Sequence, residues 1–386
     1  MKIYKIYNKK SILKIFLFIT TLFILLTFSK QNFNSVKKST ELFINNIFPS
    51  LFPFFLFSEL ILNSNIIELL VQYFGNIISK IFKIDKNATS AIIIGFFCGY
   101  PMGAKVVSEL YEKHKISYIE AKRLLMFVNN CNPIFIISTI GISIFNNNTI
   151  GYILLFSHFI SSIIMGILSK KVIPKKIYNN ITKKNASIIE NNYTIKKSIS
   201  FFQTIKTAIL NSFLTLINIF GFIIIFNLIF DILSTLLNNL GLNYNIICFI
   251  SGIFEVTRGC ISFASSCPYI VLKICTISFL LGFSGLCILC QIYSCIYKNG
   301  FKFKFLLICK FLQGGISSII TYILVSLINI NNTNIINVFN NFYSDLTYSD
   351  YINYIQTTYL NSILITLSLL IIFVIFYTLF HKEKIK

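Results

Sequence analysis

Apolar residues run along most of the chain in blocks long enough to span a bilayer core, which takes about 20 residues of helix. The blocks that read as crossings are Ile12–Phe28, Leu42–Leu62, Leu124–Phe145, Ile150–Leu168, Ile205–Phe230, Ile270–Tyr297, Phe305–Ile328 and Ser362–Phe380. A shorter block, Ile66–Ser79, crosses only if it is tilted or the bilayer is thin. Pro49 and Pro53, four apart inside one block, predict a kink or break there. The pattern therefore predicts an all-α, polytopic membrane protein of about 8–9 transmembrane helices.

Composition agrees. Hydrophobic residues make up 55% of the 386, charged residues 12%, and mean hydropathy is +0.75. A soluble domain carries about 25% charge, so these charges are too few to coat a water-facing surface. The polar stretches supply orientation. Lys170–Lys197 holds eight Lys against Glu190, and together with Lys298–Lys304 and Lys382–Lys386 it is expected on the cytoplasmic side. Asn146–Thr149, Ser234–Asn245 and Asn331–Tyr359 lack Lys and Arg and are expected outside. Around the first block, five Lys ahead of it compete with Lys30, Lys37 and Lys38 behind it. No small-residue cleavage site follows, so it reads as a retained helix rather than a signal peptide.

The net charge of +21 is almost all lysine; Arg123 and Arg258 are the two arginines. Abundant Ile, Asn, Lys, Phe and Tyr suggest AT-rich coding, and no soluble domain is large enough to carry a basic patch, so no nucleic-acid partner is expected. Membrane lipid is the expected surroundings, and a homo-oligomer is left open. The ten Cys lie mostly within apolar stretches. Cys287 and Cys290 form a C-x-x-C without a second pair or His cluster, so neither a metal nor a cofactor is expected. His114, His158 and His381 are scattered, and His158 is expected to pack or hydrogen-bond within its own helix. With no Walker loop, dinucleotide fingerprint or zinc motif, an enzyme is not expected.

Two stretches share an order of features. Ala91 to Lys105 is a short apolar run ending in the turn Gly99-Tyr100-Pro101-Met102-Gly103, followed by Arg123 and then Asn129, Asn130, Asn132 and Pro133 within an apolar block. Phe249 to Gly259 ends in Glu255-Val256-Thr257-Arg258-Gly259, followed by Gly282-Phe283-Ser284-Gly285 and Gln291 within another. Each follows a long apolar block containing Asn, at Asn45 and Asn46 or at Asn211 and Asn218. Runs this short with Gly and Pro at their ends suit two re-entrant hairpins, a shape tolerated at membrane depth where protein buries it. Charge places the first hairpin inside and the second outside, as an inverted repeat requires. The alternative is close-packed crossings of ordinary helices through glycine. The organisation follows: residues 1–35 an N-terminal helix, 36–170 one repeat half, 171–200 a basic loop, 201–300 the second half, and 301–386 C-terminal helices.

Candidate binding residues come from these turns. Arg258 is guanidinium kept at apolar depth in a lysine-using chain, and its fork can grip a carboxylate through two N–H bonds. It either meets a solute or pairs internally with Glu255, three residues before it. Lys105 either answers a second anionic group or snorkels to the surface. Arg123, beside Lys122, reads as an interface anchor, and Glu59 and Asp231 read as charges near span ends that either bound an interface or take part in proton coupling. Asn129, Asn130 and Asn132, with weaker support Ser284 and Gln291, offer polar groups to a solute or to a neighbouring helix. Gly99, Tyr100, Pro101, Gly103, Thr257 and Gly259 complete the candidate site. Helix N-termini at the breaks would favour an anion, so a small anionic solute is the expected ligand.

The run Gly99-Tyr-Pro-Met-Gly-Ala-Lys105, with Arg123-Leu-Leu-Met-Phe-Val-Asn-Asn-Cys-Asn-Pro133, resembles the YlbJ-like family of sporulation integral membrane proteins. Gly252-Ile-Phe-Glu-Val-Thr-Arg-Gly259 and Gly282-Phe-Ser-Gly285 with Gln291 resemble that family's second half. The family is in turn similar to the nucleoside-recognition, or Gate, domain related to concentrative nucleoside transporters. The resemblance implies a multi-pass protein of the cell membrane in endospore formers, made in the mother cell and placed in the outer forespore membrane, that moves dipicolinic acid into the forespore. Nucleoside transport is the alternative from the Gate similarity. A different class of role, a non-transporting scaffold for spore-envelope assembly, would work through 170–197 and 331–359.

Overall fold

The computed structural model describes residues 26–63, 66–172 and 201–328. The first apolar block before residue 26, nearly all of the basic loop, the 331–359 stretch and the block 362–380 lie outside the described residues. The described part is helical throughout, and five of its helices are long and apolar enough to cross a membrane.

The described part begins with α1 (Ser29–Leu42), a π turn (Phe43–Ile47) and α2 (Phe48–Asn63) in one continuous rod. The kink or break expected at Pro49 and Pro53 does not interrupt it. The register instead widens just upstream, where the Phe48 N–H reaches back to the Phe43 carbonyl, an i−5 bond. The block expected to begin at Leu42 therefore begins at least at Ser29. Next comes α3 (Ile66–Phe82), short as expected. A first helical hairpin follows, α4 (Thr89–Phe97) and α5 (Met102–Glu112).

The expected single crossing Leu124–Phe145 is a broken helix. Its first arm, α6 (Tyr118–Leu125), starts at a capping box in which the Ser117 hydroxyl accepts the Glu120 N–H and the Glu120 carboxylate accepts the Ser117 N–H. Its second arm is a π helix, Phe135–Ile144, and residues 129–132 between them are not helical. Pro133 lacks the N–H a helix would use, and the Asn132 side chain accepts the Ile134 N–H at 2.8 Å, so the chain restarts there. Helix α7 (Asn148–Leu168) closes this half, close to the expected crossing.

The second half repeats the order. It opens with α8 (Phe201–Asn239), 39 residues and about 58 Å long at 1.5 Å per residue. It runs well past the expected end at Phe230 and takes up much of the expected outside loop 234–245. The second hairpin is α9 (Tyr244–Phe254) and α10 (Val256–Ser266). The expected crossing Ile270–Tyr297 is again broken, into α11 (Ile270–Phe283) and α12 (Gly285–Ile296), at Ser284 and Gly285 with φ of 72° and 68°. Helix α13 (Phe303–Ile328) ends the described chain.

Packing pairs equivalent elements. Rod α1–α2 lies on α8, and α7 lies on α13. The second arm of each hairpin crosses to the other half: α5 packs on α12, and α10 on the π helix. Small residues permit the closest approaches. A Cβ on Gly141 would sit 2.5 Å from the Gly151 Cα, and one on Gly282 would sit 2.7 Å from the Gly314 Cα. Both hairpins close through glycine. A Cβ on Gly95 or Gly103 would stand 2.0 Å or 2.6 Å from the Val128 carbonyl oxygen, and one on Gly259 would stand 1.9 Å from the Gly252 Cα.

These contacts are with backbone, which cannot rotate away. Gly95→Ala and Gly259→Ala should each lower stability by about 2 kcal/mol or more. Gly221→Ala and Gly315→Ala, where a Cβ meets open space, should be neutral or stabilising by up to about 1 kcal/mol. Thermal unfolding of the detergent-solubilised chain checks both pairs.

Candidate functional site

The tip of the first hairpin lies on the break of the first broken helix. The Tyr100 N–H donates to the Asn130 carbonyl at 2.8 Å, and Gly99, at φ +80°, leaves no room for a Cβ beside the Asn132 backbone nitrogen, 3.0 Å away. Pro101 follows at the tip, buried, just before α5. The second half is built alike. Gly285 packs against the Gly252 carbonyl and the Val256 nitrogen, at the joint between α9 and α10.

The two tips and breaks meet around a cavity of about 40 Å³. Tyr100, Cys131 and Asn132 come to it from the first half, and Glu255, Thr257, Cys287 and Gln291 from the second. Tyr100, Asn132, Glu255, Thr257 and Gln291 are thus the sequence-selected residues brought together. Apolar walls come from Leu51, Phe135, Ile219 and Ile223.

Three donors in this cavity, on Tyr100, Asn132 and Gln291, hold weak partners or none. The Tyr100 hydroxyl donates to the Cys131 Sγ at 3.2 Å, and the Gln291 Nε2 to the Cys287 Sγ at 3.3 Å. Thiols are poor acceptors. The buried Asn132 Nδ2 has no hydrogen-bond partner. Glu255, 2% exposed, is the acidic member. Its two oxygens accept the Thr257 and Arg258 N–H groups at 3.0 and 2.7 Å, so this carboxylate fills the N-terminus of α10 that was expected to be open to an anion.

The two expected cations are elsewhere. Arg258 does not pair internally with Glu255 through its side chain and does not line the cavity: its guanidinium bonds the Asp231 carboxylate on α8 and lies over the Phe230 ring, 4.8 Å from its centroid. Lys105 does not snorkel; it bonds the buried Glu59 on α2, which also accepts from the Asn211 Nδ2 at 3.1 Å. Glu59 and Asp231 are therefore partners of hairpin cations rather than bare interface charges. The two pairs correspond: in each half, the second hairpin arm is tied to the long rod that precedes it. Arg123 is buried rather than an interface anchor. It donates to the Phe82 and Lys83 carbonyls at the end of α3, the latter at 2.6 Å, and to the Ser169 hydroxyl at 3.3 Å.

The remaining candidates do not line the cavity. Gly103 and Gly259 make the close approaches above. Ser284 is buried at the second break, in left-handed backbone. Asn129 and Asn130 belong to a polar cluster beside the cavity, where sequence reasoning missed two members. The Lys310 ammonium, 1% exposed on α13, donates to the Asn129 carbonyl at 2.6 Å and the Gln313 Oε1 at 2.8 Å. Gln313 donates to the Asn130 Oδ1 at 3.1 Å. His158 hydrogen-bonds outside its own helix, accepting the Cys131 N–H at 2.9 Å. The signal was present: Lys310 and Gln313 are three apart inside an apolar block, on one helical face.

Residues 44–148, from the π turn to the start of α7, match the Gate family, described as nucleoside recognition. Over 343 residues the chain is 25% identical to the sporulation integral membrane protein YlbJ of Bacillus subtilis (strain 168), covering 82% of this chain and 83% of that protein. No solved structure matches. The chain is an integral multi-pass membrane protein similar to YlbJ, and its region similar to the Gate family holds the first hairpin and the first broken helix.

Proposed function

We propose that this protein is a sporulation membrane transporter that carries a small, acceptor-rich solute through the cavity between the two chain breaks, and that the solute is dipicolinic acid moving from mother cell to forespore across the outer forespore membrane. The observation that carries the reading is the convergence of Asn132, Tyr100 and Gln291 on one cavity with unspent donors. A carboxylate oxygen is a far better acceptor than a thiol, so a carboxylated solute would draw these donors off Cys131 and Cys287. The name of the similar protein supports a role in sporulation; dipicolinate is taken from the family resemblance.

On this reading the hairpins are re-entrant and the halves form an inverted repeat. Support comes from charge: Lys80, Lys83 and Lys86 lie just before the first hairpin, whereas residues 234–245 before the second hold no Lys or Arg. A cavity of about 40 Å³ holds a few waters, each needing about 10–15 Å³, so a solute of a dozen heavy atoms enters only when a hairpin draws back. The Lys105–Glu59 and Arg258–Asp231 pairs are the latches of that movement, and a carboxylate of the solute can take the acid's place in an opened latch. A second reading, nucleoside transport, is favoured by Glu255, whose carboxylate in the cavity suits hydroxyl and amino donors, and by the description of the Gate family.

Asn132→Ala and Gln291→Ala should each lower dipicolinate binding by about tenfold or more, the range of a hydrogen bond to a charged group, with the protein still in the membrane. Binding by purified protein, dipicolinate against nucleosides, checks this. Glu255→Gln separates the readings by sign: it should keep or raise dipicolinate binding by removing a like charge, and it should weaken binding of a nucleoside. For the latches, Arg258→Asp and Asp231→Arg should each reduce spore dipicolinate several-fold, and the double exchange should recover more than either single variant. Loss in the double equal to the sum of the singles would remove the latch.

A further inference from the structure

A broken helix leaves backbone carbonyls without helical partners, and in transporters such carbonyls commonly coordinate the coupling cation. At the first break that position is taken by part of the protein. Lys310 is fully buried within an apolar helix, and its ammonium bonds two neutral oxygens, the Asn129 carbonyl and the Gln313 Oε1. Among the described residues no carboxylate pairs with it. The titratable groups around it are Cys131 at the break, Cys309 on its own helix and His158 on α7. A lone charge at such depth is costly and calls for a role. Ordinary packing does not explain it, because Met would fill the same volume without the charge.

We infer that Lys310 is a resident cation: its ammonium occupies, as a tethered charge, the place an exchangeable alkali ion would take at the Asn129 carbonyl. Two further features point to a cation site. Both side-chain polar atoms of the buried Asn129 lack hydrogen-bond partners, so its Oδ1 adds a third oxygen to the Asn129 carbonyl and the Gln313 Oε1. Gln313 is oriented by its own donation to Asn130, which aims its oxygen at Lys310. A tethered ammonium cannot leave, so solute movement would run without an alkali ion bound at this break. That consequence rests on the transport reading; the cation assignment does not.

Thermal unfolding of the purified full chain tests it, at fixed ionic strength in sodium, lithium, potassium or choline chloride. Wild-type protein should unfold at the same temperature in all four. Lys310→Ala should unfold lower in choline and regain about 4 °C or more in one of the alkali salts. Lys310→Ser, which also vacates the ammonium's place, should show the same salt selectivity if Lys310→Ala does not fold. Lys310→Ala/Gln313→Leu should lose the rescue, because an oxygen ligand is gone. Wild-type stabilisation by an alkali ion over choline would overturn the assignment, as would Lys310 variants indifferent to the cation. The wild-type comparison decides by itself if no variant folds. Each readout is independent of the solute, so the assignment can fail while the transport reading stands.

Discussion

The carbonyl of Asn129 and the N–H of Cys131 lie where a continuous helix would bond both to itself, and each is met instead by a side chain from another helix, Lys310 and His158. The neighbouring groups are treated alike. The Phe127 carbonyl accepts from Asn130 and Ser162, the Asn130 carbonyl from the Tyr100 N–H, and the Ile134 N–H is taken by Asn132. At membrane depth water cannot supply these bonds, and each one missing would cost several kcal/mol. The break therefore dictates what packs around it. Hairpin tip, α7 and α13 all have to reach residues 127–134, and together they fix the first half's contribution to the cavity.

Glycine makes that convergence sterically feasible. The first hairpin can touch Val128 because Gly95 and Gly103 present only hydrogen to it, and the second closes on itself through Gly252 and Gly259. Charge then holds the hairpins to their rods. Lys105 with Glu59 and Arg258 with Asp231 tie equivalent arms to equivalent rods, so one mechanical design appears twice. The halves differ at the breaks: the first is stitched by side chains from α7 and α13, whereas the second is a sharp left-handed turn at Ser284 and Gly285 packed on backbone.

Much of this was legible from hydrophobic pattern and punctuation. Gly99-Tyr-Pro-Met-Gly103 and Glu255 to Gly259 marked both hairpins, and the crossings at Ile150–Leu168 and Phe305–Ile328 lie close to α7 and α13. The breaks are hidden in the sequence because the residues flanking each are as apolar as any crossing; Asn129 to Pro133 and Gly282 to Gly285 stand out as polar spots rather than as stops. Partner choice was the larger gap. Arg258 and Glu255 are neighbours in sequence, yet the guanidinium turns to Asp231, 27 residues earlier. A linear reading can see that a charge is buried without seeing which helix lies beside it. Lys310 is hidden for a related reason: its spacing from Gln313 puts both on one helical face, but one lysine among 32 does not stand out until its surroundings are known to be dry.

The pairing of the hairpin cations bears on how a dianion could be handled here. Glu255 already satisfies the N-terminus of α10, so a carboxylated solute gains nothing from that helix end and meets a like charge beside it. Breaking one of these partly buried ion pairs to receive the solute leaves a carboxylate unpaired, which costs more than the exchange of one carboxylate for another. Binding is then favourable when Arg258 or Lys105 keeps its acid while the solute's second group takes neutral donors such as Asn132 and Gln291, or when the solute replaces the acid outright. Those two routes make different use of the rods. In the first they stay in place and the hairpin tip opens; in the second the hairpin arm separates from its rod. On the proposed transport reading, the likeness of the two ion pairs would make either route available to each half, which is what alternate opening of a single central site requires.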